Sequence, residues 1–435
     1  MTMALNPFKN WPTSLPDYQW PERYRSVGYL PARWFLAAAF HVAHAVGLGM
    51  RVLRRSRPAA LVIRTDGIGD AILFEPALEA LARSLSPHEI HLWAPEGSCE
   101  ILRACPVIRR RVVIPRGFKD GNLLVFRSLR WRARLGYLFG RHKFEVAIYP
   151  ADSPEPLGNW IFTSVRTRAR WINFGDTLHQ FEQQRQKAHA RATRVLSTRP
   201  GAAHQLMRNA YLSSQWGGSL ELRSPKLPFT AQAIDQAERQ LSEWQRVERH
   251  VRASAIAGII PAGSQAINRY PAESWNAVIK QLWAEQRVLC TLIGWPEHDR
   301  FIEQITKDLD DVPHVRLAKP MNISAIAALV ARLDGLMSMD TGLAHAAIAQ
   351  DTPTIVLRIG GDPGRFFPWP GATTSIVLNK PMPCEGCHNR CALAEAECIT
   401  QIEPADVVSA YAKLCGTRAR IAPTAPAAKW LRVAG

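Results

Sequence analysis

LVIRTDGIGDAILFEPALEAL, residues 61–81, decides how the fold is read. Leu61-Val-Ile-Arg64 is a short apolar run of the kind that a strand buried on both faces shows. Thr65-Asp-Gly-Ile-Gly-Asp70 is a tight turn, after which apolar residues at Ile72, Leu73, Leu78, Leu81 and Leu85 recur at helical spacing. Residues 89–95 and 144–150 read as further strands. Strands alternating with helices imply a parallel sheet covered on both faces.

The second half repeats the alternation more cleanly. Strands are expected at 255–260, 288–294, 314–318, 335–339 and 354–360, with helices opening at Pro271, Pro296, Ser324 and Leu343. The text between Pro200 and Thr230 is irregular, and Ser224-Pro-Lys-Leu-Pro228 reads as the linker. A chain of 435 residues is long enough for two cores. The expectation is an α/β protein of two Rossmann-like domains, over 61–225 and 226–415. A basic extension over 1–60 precedes them and a basic tail over 416–435 follows.

Hydrophobic residues make up 47% and charged ones 21%, which excludes wholesale disorder and a fibrous protein. The net charge of +17 calls for a polyanionic partner: nucleic acid, an anionic membrane surface or an acidic substrate. Residues 1–60 hold eight Lys/Arg against two acids, residues 103–143 twelve against one, and residues 166–200 eight against two. These stretches contain more than the whole excess, so the remainder is net acidic and the two halves face different ligands.

The first 30 residues carry Asp17, Glu22 and several prolines and do not read as a secretory signal. Residues 34–50 form the longest apolar run, 17 residues, short of the ~20 that span a bilayer. Arg51, Arg54, Arg55 and Arg57 follow it. An interfacial helix with basic flanks fits this pattern, as does a helix packed on the first domain.

Ligands of such sheets bind at the carboxyl ends of strands, so the strand-to-helix turns are the candidate sites. In the first turn Asp70 is either a helix N-cap or a general base facing a cleft. Its glycine pattern is not the dinucleotide fingerprint. In Pro261-Ala-Gly-Ser264, Gly263 and Ser264 suit phosphate oxygens, with Arg269 as the cation. In Gly294-Trp-Pro-Glu297 the carboxylate could accept from ribose hydroxyls or simply suit a helix start. Ser338-Met-Asp340-Thr-Gly-Leu-Ala-His345 is the most specific. Thr341, Gly342 and the helix N-terminus suit a pyrophosphate, and Asp340 beside it argues for a nucleotide-sugar. His345 is a cleft residue or a packed one.

Taken together, these residues resemble glycosyltransferase family 9, the ADP-heptose:lipopolysaccharide heptosyltransferases. The run MNISAIAALVARLDGLMSMDTGLAHAAIAQDTPTIVLRIGGDP, residues 321–363, is similar to the family signature, and residues 61–81 are similar to its N-terminal strand-turn-helix. Residues 261–275 and 294–297 match in the same order, so the resemblance covers about 60–410. It implies a GT-B fold, two Rossmann-like domains facing a central cleft, with acceptor on the first and nucleotide-sugar on the second. It also implies inverting transfer that needs no metal. By position Asp70 matches the proposed base, Gly263 and Ser264 the phosphate turn, and Glu297 the ribose-binding acid. Met321 matches the adenine pocket, and Asp340, Thr341 and Gly342 the sugar-diphosphate loop. Two departures stand out. Members often have Lys where this chain has Asn268, leaving the charge to Arg269. Many continue Phe-Gly-Pro-Thr-Asp-Pro where this chain reads Arg358-Ile-Gly-Gly-Asp-Pro363.

The expected reaction is in-line transfer of a heptose or related sugar from an ADP-sugar to lipopolysaccharide core or a related surface glycan. Arg130, Arg132 and Arg134 are the candidate contacts to an anionic, lipid-linked acceptor, Arg130 and Arg134 sharing one helix face. The expected setting is cytoplasmic, peripheral at the inner face of the cytoplasmic membrane. Cys384, Cys387, Cys391 and Cys398 are spaced compactly enough for a structural Zn or Fe site, or are reduced thiols in a packed loop. A protein acceptor, as for relatives that modify autotransporters, is the alternative. A nucleic-acid-binding role lacks any recognisable module.

Overall fold

The structure is a computed structural model and describes residues 30–52, 58–115, 128–180, 182–197, 204–217, 222–263, 265, 267–317 and 320–415. Two six-stranded, all-parallel sheets carry the fold. The first contains β1 (Ala59–Ile63), β2 (Glu89–Ala94), β3 (Ile108–Val113), β4 (Lys143–Tyr149), β5 (Arg166–Asn173) and β6 (Arg194–Leu196), in the order β3-β2-β1-β4-β5-β6. The second contains β7 (Ala255–Ile260), β8 (Val288–Leu292), β9 (His314–Arg316), β10 (Gly335–Met339), β11 (Thr354–Leu357) and β12 (Ser375–Leu378), in the order β9-β8-β7-β10-β11-β12. Both follow the doubly wound pattern, with switch points between β1 and β4 and between β7 and β10.

The strand pleat explains how two domains share one interior. In β1, Ala60 and Val62 face an apolar cluster that continues through Ile72 and Leu73 to Ile326, Leu343 and Ala344 of the second domain. Ala59, Leu61 and Ile63 face the other way, onto Trp93, Phe139 and Phe144. The second sheet divides likewise, Ile256 and Ile260 joining the shared cluster while Ala257 and Ile259 face Trp275 and Tyr411. The linker is pinned rather than loose: Arg223 pairs with Glu75 at 2.9 Å and with Glu79, and Lys226 N donates to Glu75 Oε2 at 2.8 Å.

The apolar N-terminal run is part of a helix, Leu30–Val52, docked parallel to the helix Leu129–Arg141. Three glycines permit the contact. A Cβ on Gly136 would lie 2.3 Å from Phe40 O, on Gly140 2.1 Å from His44 O, and on Gly47 2.3 Å from Tyr137 O. The helix thus packs on the first domain and also keeps an open apolar side, with Val42 65%, Val46 55% and Met50 46% exposed. No described helix is long and apolar enough to cross a membrane.

Candidate active site

The turn after β1 is built by Arg64, which sequence reading passed over. Its guanidinium is buried, stacks 4.5 Å over the Phe74 ring and pairs in fork geometry with Asp66, at 3.0 Å from Nε and 2.6 Å from the terminal nitrogen. Burial pushes the Asp66 pKa up to about 6, with Arg64 opposing and Asp70 reinforcing. Thr65 Oγ1 meets the Tyr149 hydroxyl at 3.0 Å, and that hydroxyl accepts from Glu155 N at 2.8 Å, tying the turn to β4. Asp70 follows in the first turn of the helix Ile68–Ser84. The N-cap there is Gly67 and no side chain caps the helix, so Asp70 is not an N-cap. It is half-buried and faces the second domain, where its charge is felt by Asp340 and Arg365.

The domains meet at two glycines. A Cβ on Gly69 would lie 2.7 Å from the His345 ring, and one on Gly342 would lie 2.9 Å from Ile68 Cβ and 3.2 Å from Gly69 N. Backbone therefore crosses backbone where the two helices begin, and only glycine fits. His345 lies in this packed wall, 2% exposed, and not in an open donor cleft. It stacks on Phe367 at 4.2 Å, and its Nδ1 accepts from Trp369 Nε1 at 2.9 Å, leaving the proton on Nε2. Burial, reinforced by His204, lowers its pKa to about 3, so the ring is neutral.

Asp340 follows β10, with its carbonyl accepting from Asn268 Nδ2 at 2.9 Å. Burial raises its pKa to about 7; Arg358 opposes, and Asp362 and Asp70 reinforce. A carboxyl so poised is partly protonated at neutral pH, which relieves its expected repulsion of a diphosphate. Thr341 is tied into the loop itself. Its hydroxyl caps the helix Gly342–Ala349, accepting from Ala344 N at 3.4 Å, and meets Ser338 Oγ at 3.1 Å while Ser338 donates to Met339 O. That hydroxyl is committed to the loop, and the backbone N–H groups are what remain to face an anion.

The turn after β7 is filled from within: a Cβ on Gly263 would lie 2.4 Å from Asn268 Nδ2. Ser264 lies outside the described residues. Arg269 holds its guanidinium 5.4 Å over the Phe301 ring, close enough to His298 to depress that ring's protonation after burial. The cation beside Asp340 is instead Arg358, 8% exposed, paired with Glu385 at 3.0 Å and with its other amino nitrogen unpartnered. The sequence signal for it was the departure after Leu357.

Met321 is half-buried and lines an interdomain cavity of about 520 Å³ with Ile68, Gly97, Arg103, Trp295 and Ile323. Glu297 is exposed in the short turn Pro296–His298, outside that lining.

Of the basic stretches, part is structural. Arg111 donates to the carbonyls of Leu102, Cys105 and Ile108, and Arg170 to those of Phe162 and Val165. Arg132 is half-buried, 5.0 Å over the Trp160 ring, whereas Arg130 and Arg134 are exposed. The four cysteines line one small cavity of about 10 Å³, and Cys398 Sγ accepts from Gly360 N at 3.4 Å. Among the described residues, no three His, Cys, Asp or Glu side chains are grouped so as to hold a metal ion.

Residues 179–394 match the sequence model of glycosyltransferase family 9 (heptosyltransferase). A family 9 glycosyl transferase from Veillonella parvula DSM 2008 is similar in structure, with TM-score 0.65 at 16% identity over 84% of this chain and 99% of that one. E. coli ADP-heptose lps heptosyltransferase II gives 0.60 at 16% over 83% and 99%. E. coli heptosyltransferase WaaC with ADP-2-deoxy-2-fluoro heptose gives 0.57 at 16% over 81% and 99%. No curated protein matches the chain. At such identities the structures establish the fold, and the family match takes in every second-domain turn described above. The chain is a GT-B glycosyltransferase carrying a family 9 (heptosyltransferase) domain.

Proposed function

We propose that this protein transfers heptose from ADP-heptose to a lipopolysaccharide-core or related glycan acceptor, with inversion and with no metal in the transfer step. The observation that carries the reading is the placement of Asp70 on one domain against the Asp340–Gly342 turn of the other, beside an interdomain cavity of about 520 Å³. In the reaction, the Asp70 carboxylate takes the proton of the acceptor hydroxyl as that oxygen bonds to the anomeric carbon. The bond from that carbon to the phosphate oxygen breaks, and ADP leaves with the electron pair. Backbone N–H groups of the turn after Thr341 and the Arg358 guanidinium stabilise the departing diphosphate. Asp340, close to half-protonated, donates to or accepts from sugar or phosphate oxygens.

The acceptor we propose is anionic and lipid-linked, met at the cytoplasmic face of the inner membrane. Exposed Arg130 and Arg134 and the open side of the helix Leu30–Val52 support this. For the cysteine cluster we propose a structural role: the four cysteines line one cavity, and zinc or iron would require them to draw closer than they stand here. Elemental analysis of anaerobically purified protein decides between an ion and free thiols.

The donor is tested by thermal melting with ADP-heptose, UDP-glucose and GDP-mannose. A ligand at a hundred times its Kd stabilises the folded state by about 2.7 kcal/mol, so ADP-heptose should raise the Tm and the others should not. A shift with a UDP- or GDP-sugar instead would replace the donor.

A further inference from the structure

Arg365 belongs to the second domain by sequence, in the loop after β11, yet most of its surroundings belong to the first. Its Nε donates to Gln205 Oε1 at 3.2 Å, and its carbonyl accepts from Gln205 N at 2.8 Å. Gln205 passes the contact on, donating from Nε2 to Asp152 Oδ2 at 2.7 Å, while Asp152 accepts from Asn173 Nδ2 at 2.6 Å. Asp152 and Asn173 stand at the carboxyl ends of β4 and β5, the same edge of the sheet as Asp70. From its own loop, Asp362 approaches to 4.0 Å. The Arg365 side chain is only 14% exposed. Burial opposes its charge, but Asp70, Asp152, Asp362 and Asp176, in that order, more than offset this and hold the guanidinium's pKa above its ordinary value.

The loop is held from both sides. Behind it, in the cysteine-bearing segment, Gly386 N donates to Gly360 O at 2.8 Å and His388 N to Gly361 O at 2.9 Å, and the His388 ring meets Asp362 at 2.7 Å. In front, His204 accepts from Leu206 N on Nδ1, so its Nε2–H donates to Phe366 O at 3.0 Å. A guanidinium this confined is not a surface cation that happens to lie near the cleft.

We propose that Arg365 is a positioning residue for the transfer: it neutralises carboxylates that the two domains turn toward each other, and so keeps Asp70 at its working distance from the donor turn. The inference rests on Asp70 being the base. Without the guanidinium, Asp362 of one domain and Asp70, Asp152 and Asp176 of the other lose the cation they share, leaving Asp152 the Arg208 guanidinium at 3.5 Å and Asp362 the His388 ring. The segments at residues 68–75 and 204–209 would then separate from the loop. Lysine keeps the charge but not the fork, so it restores the effect in part.

The test compares Arg365→Gln with Arg365→Lys in the full chain. It reads kcat with ADP-heptose and lipopolysaccharide core, the Kd of ADP alone, and amide exchange over 68–75 and 204–209. Arg365→Gln should lower kcat by about 10²-fold, the usual cost of an ångström-scale misplacement of reacting groups. The Kd of ADP should stay within about threefold, less than 1 kcal/mol. Exchange should quicken at both segments, and Arg365→Lys should recover part of both losses. Unchanged kcat and exchange in Arg365→Gln overturn the proposal, as does an Arg365→Lys protein no better than Arg365→Gln. A fall in ADP affinity matching the fall in kcat also overturns it, by placing Arg365 in the donor site. An active Asp70→Asn protein removes the base reading alone, because the exchange measurements and the lysine comparison still report on Arg365.

Discussion

Gly69 and His345 touch across the two domains, so closely that a methyl group on Gly69 would stand 2.7 Å from the imidazole. The ring has nowhere to retreat, since Phe367 stacks on one face and Trp369 holds its Nδ1. Gly69→Ala should therefore destabilise the protein by about 1–3 kcal/mol, the range for inserting a methyl into a packed site. It should also weaken transfer more than ADP binding. Chemical denaturation and a turnover assay check both; a Gly69→Ala protein of wild-type stability would mean that the domains part here in solution.

Asp70→Asn separates chemistry from architecture because Asp70 caps no helix. The substitution should cut kcat by roughly 10²–10⁴-fold, the contribution of a general base. ADP affinity and Tm should hardly move. Retention of half the activity would assign the proton to another group, with Asp66 and Asp340, whose protonation the Asp70 charge influences, the next carboxyls to test.

Which parts of this were legible in the sequence follows from where each element is covered. β7 and β10 run as read, because a strand buried on both faces shows an unbroken apolar run. β3 was not anticipated: Arg109, Arg110 and Arg111 interrupt its pattern, and as a sheet edge it buries only part of its length. The basic run at 166–200 concealed β5, where Arg166, Arg168 and Arg170 interrupt the pattern of an interior strand, and the short edge strand β6. In the site, the glycine turns were legible because backbone crossing demands glycine locally. Arg64 and Arg365 were not, and Arg358 showed only as a departure from the family pattern, since their roles depend on Asp66 and Phe74, on Gln205, and on Asp340, groups assembled only by tertiary packing.

Asp340 makes stability depend on pH in an unusual direction for a carboxyl. Its folded pKa, near 7, lies above the ordinary 3.8, so between about pH 4 and 7 the folded chain keeps a proton that the unfolded chain has lost. The stabilisation is complete below that window and disappears as pH rises through it. Asp340→Asn cannot ionise, so its Tm should gain on wild type at pH 8 relative to pH 5. Calorimetry at the two pH values checks this; an equal difference at both would mean that Asp340 is ionised throughout.

The open side of the helix Leu30–Val52 should bind an anionic bilayer. Val42 and Val46 are one turn apart and among the most exposed large apolar residues described. Val42→Glu with Val46→Glu should cut co-sedimentation with phosphatidylglycerol vesicles by about tenfold, since each change removes buried apolar area and adds a repelled charge. Turnover on a soluble acceptor should be unchanged, because the docked side of the helix is untouched. Equal binding to neutral phosphatidylcholine would leave the arginines no part in the attachment.

Arg130, Arg132 and Arg134 should not behave as a set. Arg130 and Arg134 are exposed on one side of their helix, while Arg132 lies over Trp160 with its pKa lowered by burial. Arg130→Glu and Arg134→Glu should each raise the acceptor KM, by roughly two- to fivefold, given that an exposed charge contributes up to about 1 kcal/mol. Donor KM should not change, because the donor turns lie in the other domain. The effect should fade with salt, as screening at 0.15 M already acts over about 8 Å. Arg132→Glu should instead lower the Tm, by bringing a carboxylate against the indole where a cation stood. Full kinetics for the three variants at low and high salt decide the matter. Equal acceptor KM changes at all three positions would show that helix exposure does not govern the contact, and no change at Arg130 or Arg134 would move the acceptor's anionic groups elsewhere on the first domain.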